Sequence, residues 1–276
     1  VFFSLLILIS CSNNSVKKLS MSDFGKAPNG EVVKKFKLTN SNGLSMEVIN
    51  YGAIITNLNV PDSSGSLKDV VLGFNDFNNY YENNPYFGAI IGRYGNRISN
   101  GTFLLDGVRY ELEQNNGTNS LHGGLVGFDK VFWKFIEEKS SNQSLYFEYY
   151  SKDMEEGFPG NLVVGVEYIL NDSNELKIKY TASTDKKTII NLTQHSYFNL
   201  SGESSGDILD HILNIDAEYY LPVNENMIPY GPYEKVESTP FDFTIPKKIG
   251  LDIFSDDIQL KIGNCLLYTS PSPRDL

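Results

Sequence analysis

The sequence predicts a mainly β protein, a single large antiparallel β-sandwich, and three observations carry that prediction. Apolar and polar residues alternate at period two in one stretch after another, clusters of Asn, Asp, Gly and Ser separate the stretches, and apolar runs at helical spacing are scarce. Composition agrees. Of 276 residues 41% are hydrophobic, and 17 Tyr with 17 Phe supply the rings that sheets favour. Charged residues make up only 21%, which excludes a solvated, disordered chain.

Taken in order, the alternating stretches begin with EVVKKFKLTN at 31–40, followed by LSMEVINYG at 44–52, AIITNLNVP at 53–61 and DVVLGF at 69–74. TFLLDGVRYEL at 102–112 contains Asp106-Gly107, a hairpin signal because both residues tolerate positive φ. Leu145, Phe147 and Tyr149 then alternate in LYFEYY, NLVVGVEYIL occupies 161–170, and Leu176, Ile178 and Tyr180 alternate with Lys177 and Lys179 in ELKIKYTAST. Ser41-Asn42-Gly43 and Asn171-Asp172-Ser173-Asn174 are turns between such strands. Helices are expected only at 76–82 and 250–254. No repeat or linker divides residues 30–264, which form the domain.

The ends read differently. Residues 1–11 carry the apolar run VFFSLLILIS, too short to cross a bilayer that needs about 20 residues, and of the kind found in signal peptides. Leu8-Ile9-Ser10-Cys11 resembles the bacterial lipobox. The expectation is acylation of Cys11, a polar tether over 12–29, and, with Ser12 following, a periplasm-facing anchor in the outer membrane of the cell envelope. Residues 265–276, CLLYTSPSPRDL, break abruptly from the preceding pattern and are set aside as a non-native tail. Two cysteines near opposite ends, Cys11 and Cys265, build neither a disulfide framework nor a Cys-based zinc site. A net charge of −11 without a basic stripe argues against nucleic acid.

Three polar segments stand out. Gly92-Arg93-Tyr94-Gly95-Asn96-Arg97-Ile98 sets guanidinium and carboxamide groups side by side, a donor and acceptor set suited to vicinal hydroxyls. Either Arg taken alone reads equally well as the brace of a loop carbonyl. Asn119-Ser120-Leu121-His122-Gly123-Gly124 places a His before two glycines that let a ligand approach the backbone. Asn191-Leu192-Thr193-Gln194-His195-Ser196-Tyr197-Phe198-Asn199-Leu200 holds a His among amides, hydroxyls and rings, poised for proton transfer near neutral pH. His211, the third histidine, reads as a strand residue without a role.

These three segments, in this order, resemble the aldose 1-epimerase (galactose mutarotase) family. The likeness extends to YGAIITNLNVPD, GTFLLDG, Glu155-Glu156-Gly157-Phe158-Pro159-Gly160, Tyr219-Tyr220-Leu221-Pro222-Val223 and Thr239-Pro240-Phe241-Asp242-Phe243. The family signature Asn-x-Thr-Asn-His-x-Tyr-Phe-Asn-Leu is met with one departure, Gln194 for Asn, which keeps the carboxamide. The resemblance implies a galactose mutarotase-like supersandwich that interconverts the anomers of a free hexose in hexose metabolism, by acid and base catalysis of ring opening and closure. No cofactor or metal is implied, since both steps are proton transfers.

Residue by residue, the resemblance makes His195 the general acid, with Asn96, Arg97, His122, Ser196 and Tyr197 binding the sugar. The family's base, a Glu, and a sugar-gripping Asp belong beyond Asn264, so the sandwich is expected to be incomplete at its C-terminal end and the chain as written inactive. Glu155, Glu156 and Asp242 read as turn or surface residues. Two alternatives remain: a non-catalytic carbohydrate-binding lipoprotein on the same fold, and a sugar-phosphate epimerase for which Arg93 is the one spare cation.

Overall fold

The computed structural model describes residues 19–263; Cys11, where acylation is expected, the segment before it and the tail at 265–276 lie outside the described residues. The first sheet follows chain order and is antiparallel throughout: β1 (Leu19–Lys26), β2 (Val32–Thr39), β3 (Ser45–Ile49), β4 (Ile55–Pro61) and β5 (Leu67–Asp69). Helix α1 (Phe77–Asn83), capped by the Asp76 carboxylate accepting the Asn79 amide at 3.1 Å, leads to β6 (Ile90–Ile91) and β7 (Arg97–Ile98). A hairpin follows, β8 (Thr102–Leu105) with β9 (Val108–Glu111), and then β10 (Ser120–Leu121). Asp106 and Gly107 both take positive φ between the hairpin strands, as the Asp-Gly signal requires.

The second sheet, β11 (Lys134–Phe135), β12 (Ser144–Ser151), β13 (Leu162–Leu170) and β14 (Leu176–Thr184), is again antiparallel in chain order. β15 (Thr193–Gln194), β16 (Ile212–Leu213), β17 (Tyr219–Tyr220), β18 (Glu234–Lys235) and β19 (Lys247–Lys248) are two-residue strands, and α2 (Ile258–Gly263) closes the described chain.

Two apolar clusters hold these layers. Phe36, Leu38, Met46 and Val48 point from the first sheet onto Leu145, Phe147, Val164 and Val166 of the second, all buried, which is the sandwich core. The Tyr168 hydroxyl donates to the Ala53 carbonyl at 2.7 Å and so ties the second sheet to the buried turn between β3 and β4. Because side chains alternate, Val33 and Ile49 face the other way, into a second cluster with Phe74, Phe77, Tyr80, Phe87 and Ile91. Tyr86 and Tyr197 pack on its edge.

Some expectations need correcting. Leu19–Lys26 is not tether but the edge strand of the first sheet, paired with β2, so the fold starts ahead of residue 30. DVVLGF contributes only Asp69 to a strand; beyond it the buried Val70, Val71 and Leu72 pair with residues 197–199 through a single antiparallel bridge, Val71 with Phe198, flanked by the bonds from the Leu72 amide to the Tyr197 carbonyl and from the Asn199 amide to the Val70 carbonyl. The helix expected at 250–254 is a single 3₁₀ turn at Ile249–Leu251, and the α-helix lies further on. His211 is not idle either: its Nε2 accepts the Leu200 amide at 2.9 Å.

Candidate active site

Two short ladders build the site. In the first, Thr193 pairs with Ile91 and Gln194 with Ile90. His195 follows directly, its amide donating to the Ala89 carbonyl at 2.9 Å while its carbonyl accepts from Gly88 at 3.2 Å. In the second, Leu121 pairs with Arg97, and the His122 amide donates to the Asn96 carbonyl at 3.0 Å. Residues 92–96 join the two ladders, and the Gly95 amide donates to the Asn191 carbonyl at 2.7 Å, which draws them together. Gly123 is required here. Its φ of +92° suits glycine, and a Cβ would collide with the Gly92 carbonyl.

The ladders bring His122 and His195 to a ring separation of 5.2 Å, nearly perpendicular, although the residues are far apart in the chain. With Gly95, Asn96, Asn191, Gln194 and Ser196 they line an open cleft of about 510 Å³. Asn96, Arg97, His122, Ser196 and Tyr197 thus come together with His195. The Tyr197 ring lies beside His195 at 5.1 Å, tilted by 41°, and Ser196 Oγ accepts from Gln194 Nε2 at 2.9 Å. Gln194 also donates to the Gly88 carbonyl and accepts the Ser196 amide, so its carboxamide is spent on shaping the loop.

The Asn96 amide donates to His122 Nδ1 at 3.0 Å. Nδ1 therefore carries no proton, and a neutral His122 presents Nε2–H as a donor. Burial, the neighbouring His195 and Arg97 push its pKa down to about 4, consistent with that tautomer. His195 is also lowered from its ordinary value, chiefly by burial. Among the described residues no carboxylate hydrogen-bonds either ring. The acids singled out in the sequence have other duties: Glu155 accepts the Tyr149 hydroxyl at 2.7 Å, and Glu156 accepts the Leu125 and Val126 amides at 2.8 and 3.1 Å, clamping the loop after His122. Asp242 accepts the amide and hydroxyl of Thr244 in a turn.

The two arginines part company. Arg97 donates from Nε to Asn116 Oδ1 at 2.9 Å and from a terminal nitrogen to Asn96 Oδ1 at 3.4 Å. Arg93, 2% exposed, is not available to a phosphate. Its guanidinium donates to the carbonyls of Pro159, Gly160 and Lys152 and to Ser151 Oγ and Thr188 Oγ1. Sequence reasoning missed Asn115, Asn116 and Tyr86. Asn115 bonds the Leu121 amide and carbonyl and the Gly124 carbonyl, and the amide pair just ahead of His122 was its visible signal. Tyr86, between Pro85 and a core Phe, carried none.

A β-sandwich with two convergent histidines, a guanidinium and several amides in an open polar cleft is the frame of a protein that handles a small polyhydroxylated ligand by proton transfer. A model of the aldose 1-epimerase family matches residues 34–270, and the chain belongs to that family. It is 46% identical to galactose mutarotase of Sus scrofa, over 84% of this chain and 67% of that protein, and 46% identical to its Homo sapiens counterpart, over 82% and 65%. Identity to the aldose 1-epimerase of Escherichia coli strain K12 is 39%. The chain thus spans about two thirds of the length of these relatives. Among solved structures, galactose 1-epimerase from Lactobacillus acidophilus superimposes with a TM-score of 0.79 at 30% identity, covering 90% of this chain and 71% of that one. The fold is accordingly galactose mutarotase-like.

Proposed function

We propose that the protein interconverts the α and β anomers of a free aldose of glucose or galactose type. The observation that carries this reading is the pair of imidazoles at 5.2 Å lining a polar cleft, one of them, His122, fixed as a neutral donor by the Asn96 amide. His195 protonates the ring oxygen while the anomeric hydroxyl gives up its proton to a base; the C1–O5 bond breaks, and an open aldehyde forms. Rotation about C1–C2 and reclosure, in which the attacking hydroxyl returns its proton to His195 and the base returns its own to the C1 oxygen, give the other anomer. His122 donates Nε2–H to a sugar oxygen without entering the proton count, and Arg97 with Asn96 binds hydroxyls. A binding-only lipoprotein would need neither imidazole.

The test is polarimetric mutarotation of α-glucose and α-galactose by the product of the whole gene. His195→Asn should lower kcat by about 10²- to 10⁴-fold with the sugar still bound. Undiminished turnover in that variant would remove His195 from the role.

For location, the proposal is lipid anchoring through Cys11 to the outer membrane, facing the periplasm, supported by the lipobox-like Leu8-Ile9-Ser10-Cys11. Cys11→Ala should then move the protein from the membrane fraction to the soluble one, and continued membrane association with unchanged mass would exclude acylation.

A further inference from the structure

Among the described residues, Tyr86 is the ring that meets both imidazoles, at 4.6 Å and 68° to His122 and at 5.6 Å and 35° to His195. Its backbone is as informative as its ring. Just past α1, the Asn84 side chain accepts the Phe87 amide at 2.7 Å, and Tyr86 is left at a φ of +69°. That left-handed conformation suits Gly or Asn and is costly for a bulky aromatic residue. Backbone strain held in place by surrounding structure is a pointer to function. No described residue takes a hydrogen bond from the Tyr86 hydroxyl, so the ring, rather than a polar bond, is what the position supplies.

Resting on the acid and base reading of the site, we propose that Tyr86 is a positioning residue whose ring, held against the preference of its own backbone, sets the orientation and the dryness of the His122 and His195 pair. The two histidines differ in what else restrains them. His122 is pinned through Nδ1 by the amide of Asn96, on a different loop, whereas among the described residues three rings flank the His195 imidazole, Tyr86, Tyr197 and His122, and no other side chain hydrogen-bonds it. Tyr197 in turn leans on Phe87 at 5.3 Å, which belongs to the second core cluster. Tyr86 and Tyr197 thus transmit the rigidity of that cluster to an imidazole that no other described side chain hydrogen-bonds. The charged and titratable groups around the assembly are Arg97, Asp129 and Tyr197. Removing the Tyr86 ring would admit water beside His195 and free it to rotate.

Tyr86→Asn separates this role from a merely structural one, because Asn accepts the left-handed backbone that Tyr resists. Tyr86→Phe keeps the ring and is the conservative control. The first readout is the NMR titration of both imidazoles in the chain described here, with thermal unfolding of each variant. Tyr86→Asn should fold with undiminished stability and raise the His195 midpoint by about half a unit or more, toward the ordinary value near 6.5. Tyr86→Phe should restore the parent titration. The second readout is mutarotation by the whole-gene product, where Tyr86→Asn should cost about 10-fold or more in kcat with KM nearly unchanged.

Unaltered titration and kcat in Tyr86→Asn would overturn the proposal, as would loss of its fold, which would make the ring a packing element. A Tyr86→Phe variant behaving like Tyr86→Asn would move the role to the hydroxyl and overturn it as well. If the parent protein shows no mutarotation, the acid and base reading fails by itself, and the titration still decides the role of Tyr86.

Discussion

Hydrogen-bond direction divides the labour between two chemically identical side chains. Because the Asn96 amide can only donate, His122 Nδ1 must accept, and protonating it would break that bond. Nitrogen-15 NMR should therefore find His122 as the Nε2–H tautomer, neutral down to about pH 4, while burial lowers His195 from its ordinary value. A protonated His122 at pH 6 would contradict the assignment. Asp129 poses the opposite problem. It is 4% exposed, and burial raises its pKa to about 6, so the folded state holds a proton that the unfolded state has already lost between the ordinary carboxylate value and pH 6. A raised folded pKa contributes stability below the unfolded value and loses it as pH rises through the folded one. Asp129→Asn should thus stabilise the protein by about 1–3 kcal/mol at pH 7.5 and by almost nothing at pH 3.5. Urea unfolding at the two pH values measures the difference, and an equal effect at both would place the ionised carboxylate in a favourable setting.

Loops, not long strands, carry the chemistry, and each loop has its own anchor. The loop after His122 is clamped by Glu156 and depends on Gly123; the segments 151–152 and 159–160 are gathered by Arg93. Gly123→Ala forces a side chain against the Gly92 carbonyl at a positive φ, so sugar affinity should fall at least tenfold while the sheets stay folded. Calorimetric titration with galactose, beside circular dichroism, tests both halves of that statement. Arg93→Met leaves three carbonyls and two hydroxyls without their donor and should cost about 3 kcal/mol of stability, since bonds to a charged group are worth about 1.5–3 kcal/mol each before the benefit of no longer burying the charge. A loss below 1 kcal/mol in denaturant unfolding would show that the buried charge offsets its own bonds.

The site exists because one sheet has two used faces. Phe36 and Leu38 look into the sandwich, whereas Val33 looks into the cluster that backs Tyr86 and Tyr197, so the stability of the core and the rigidity of the cleft share β2 and β3. Tyr168 ties the layers with a buried hydroxyl. Tyr168→Phe should lower stability by about 1–3 kcal/mol, because the Ala53 carbonyl loses its side-chain donor in a dry interior, and the catalytic geometry should survive. Unfolding midpoints with retained sugar binding are the measurement. An unchanged midpoint would mean that another group takes up that carbonyl.

Local chemistry made most of this legible in advance. Period-two alternation located β2, β3, β4, β12, β13 and β14, since apolar residues recur at every second position on the face toward the sandwich core and that pattern needs no partner to be read. The Asp106-Gly107 hairpin was equally visible, because a type of turn depends on two residues alone. The Gly-, amide- and His-rich segments marked Asn96, Arg97, His122 and His195 as candidates. Tertiary structure decided the remainder. Leu19–Lys26 has little alternation and becomes a strand only because β2 offers an open edge. Arg93 and Arg97 sit in one motif with the same side chain, and only the chain's path sends the first into the interior and the second to the cleft. The unprotonated Nδ1 of His122 and the ring of Tyr86 between two histidines depend on contacts across residues distant in sequence, formed by folding and encoded in no single stretch.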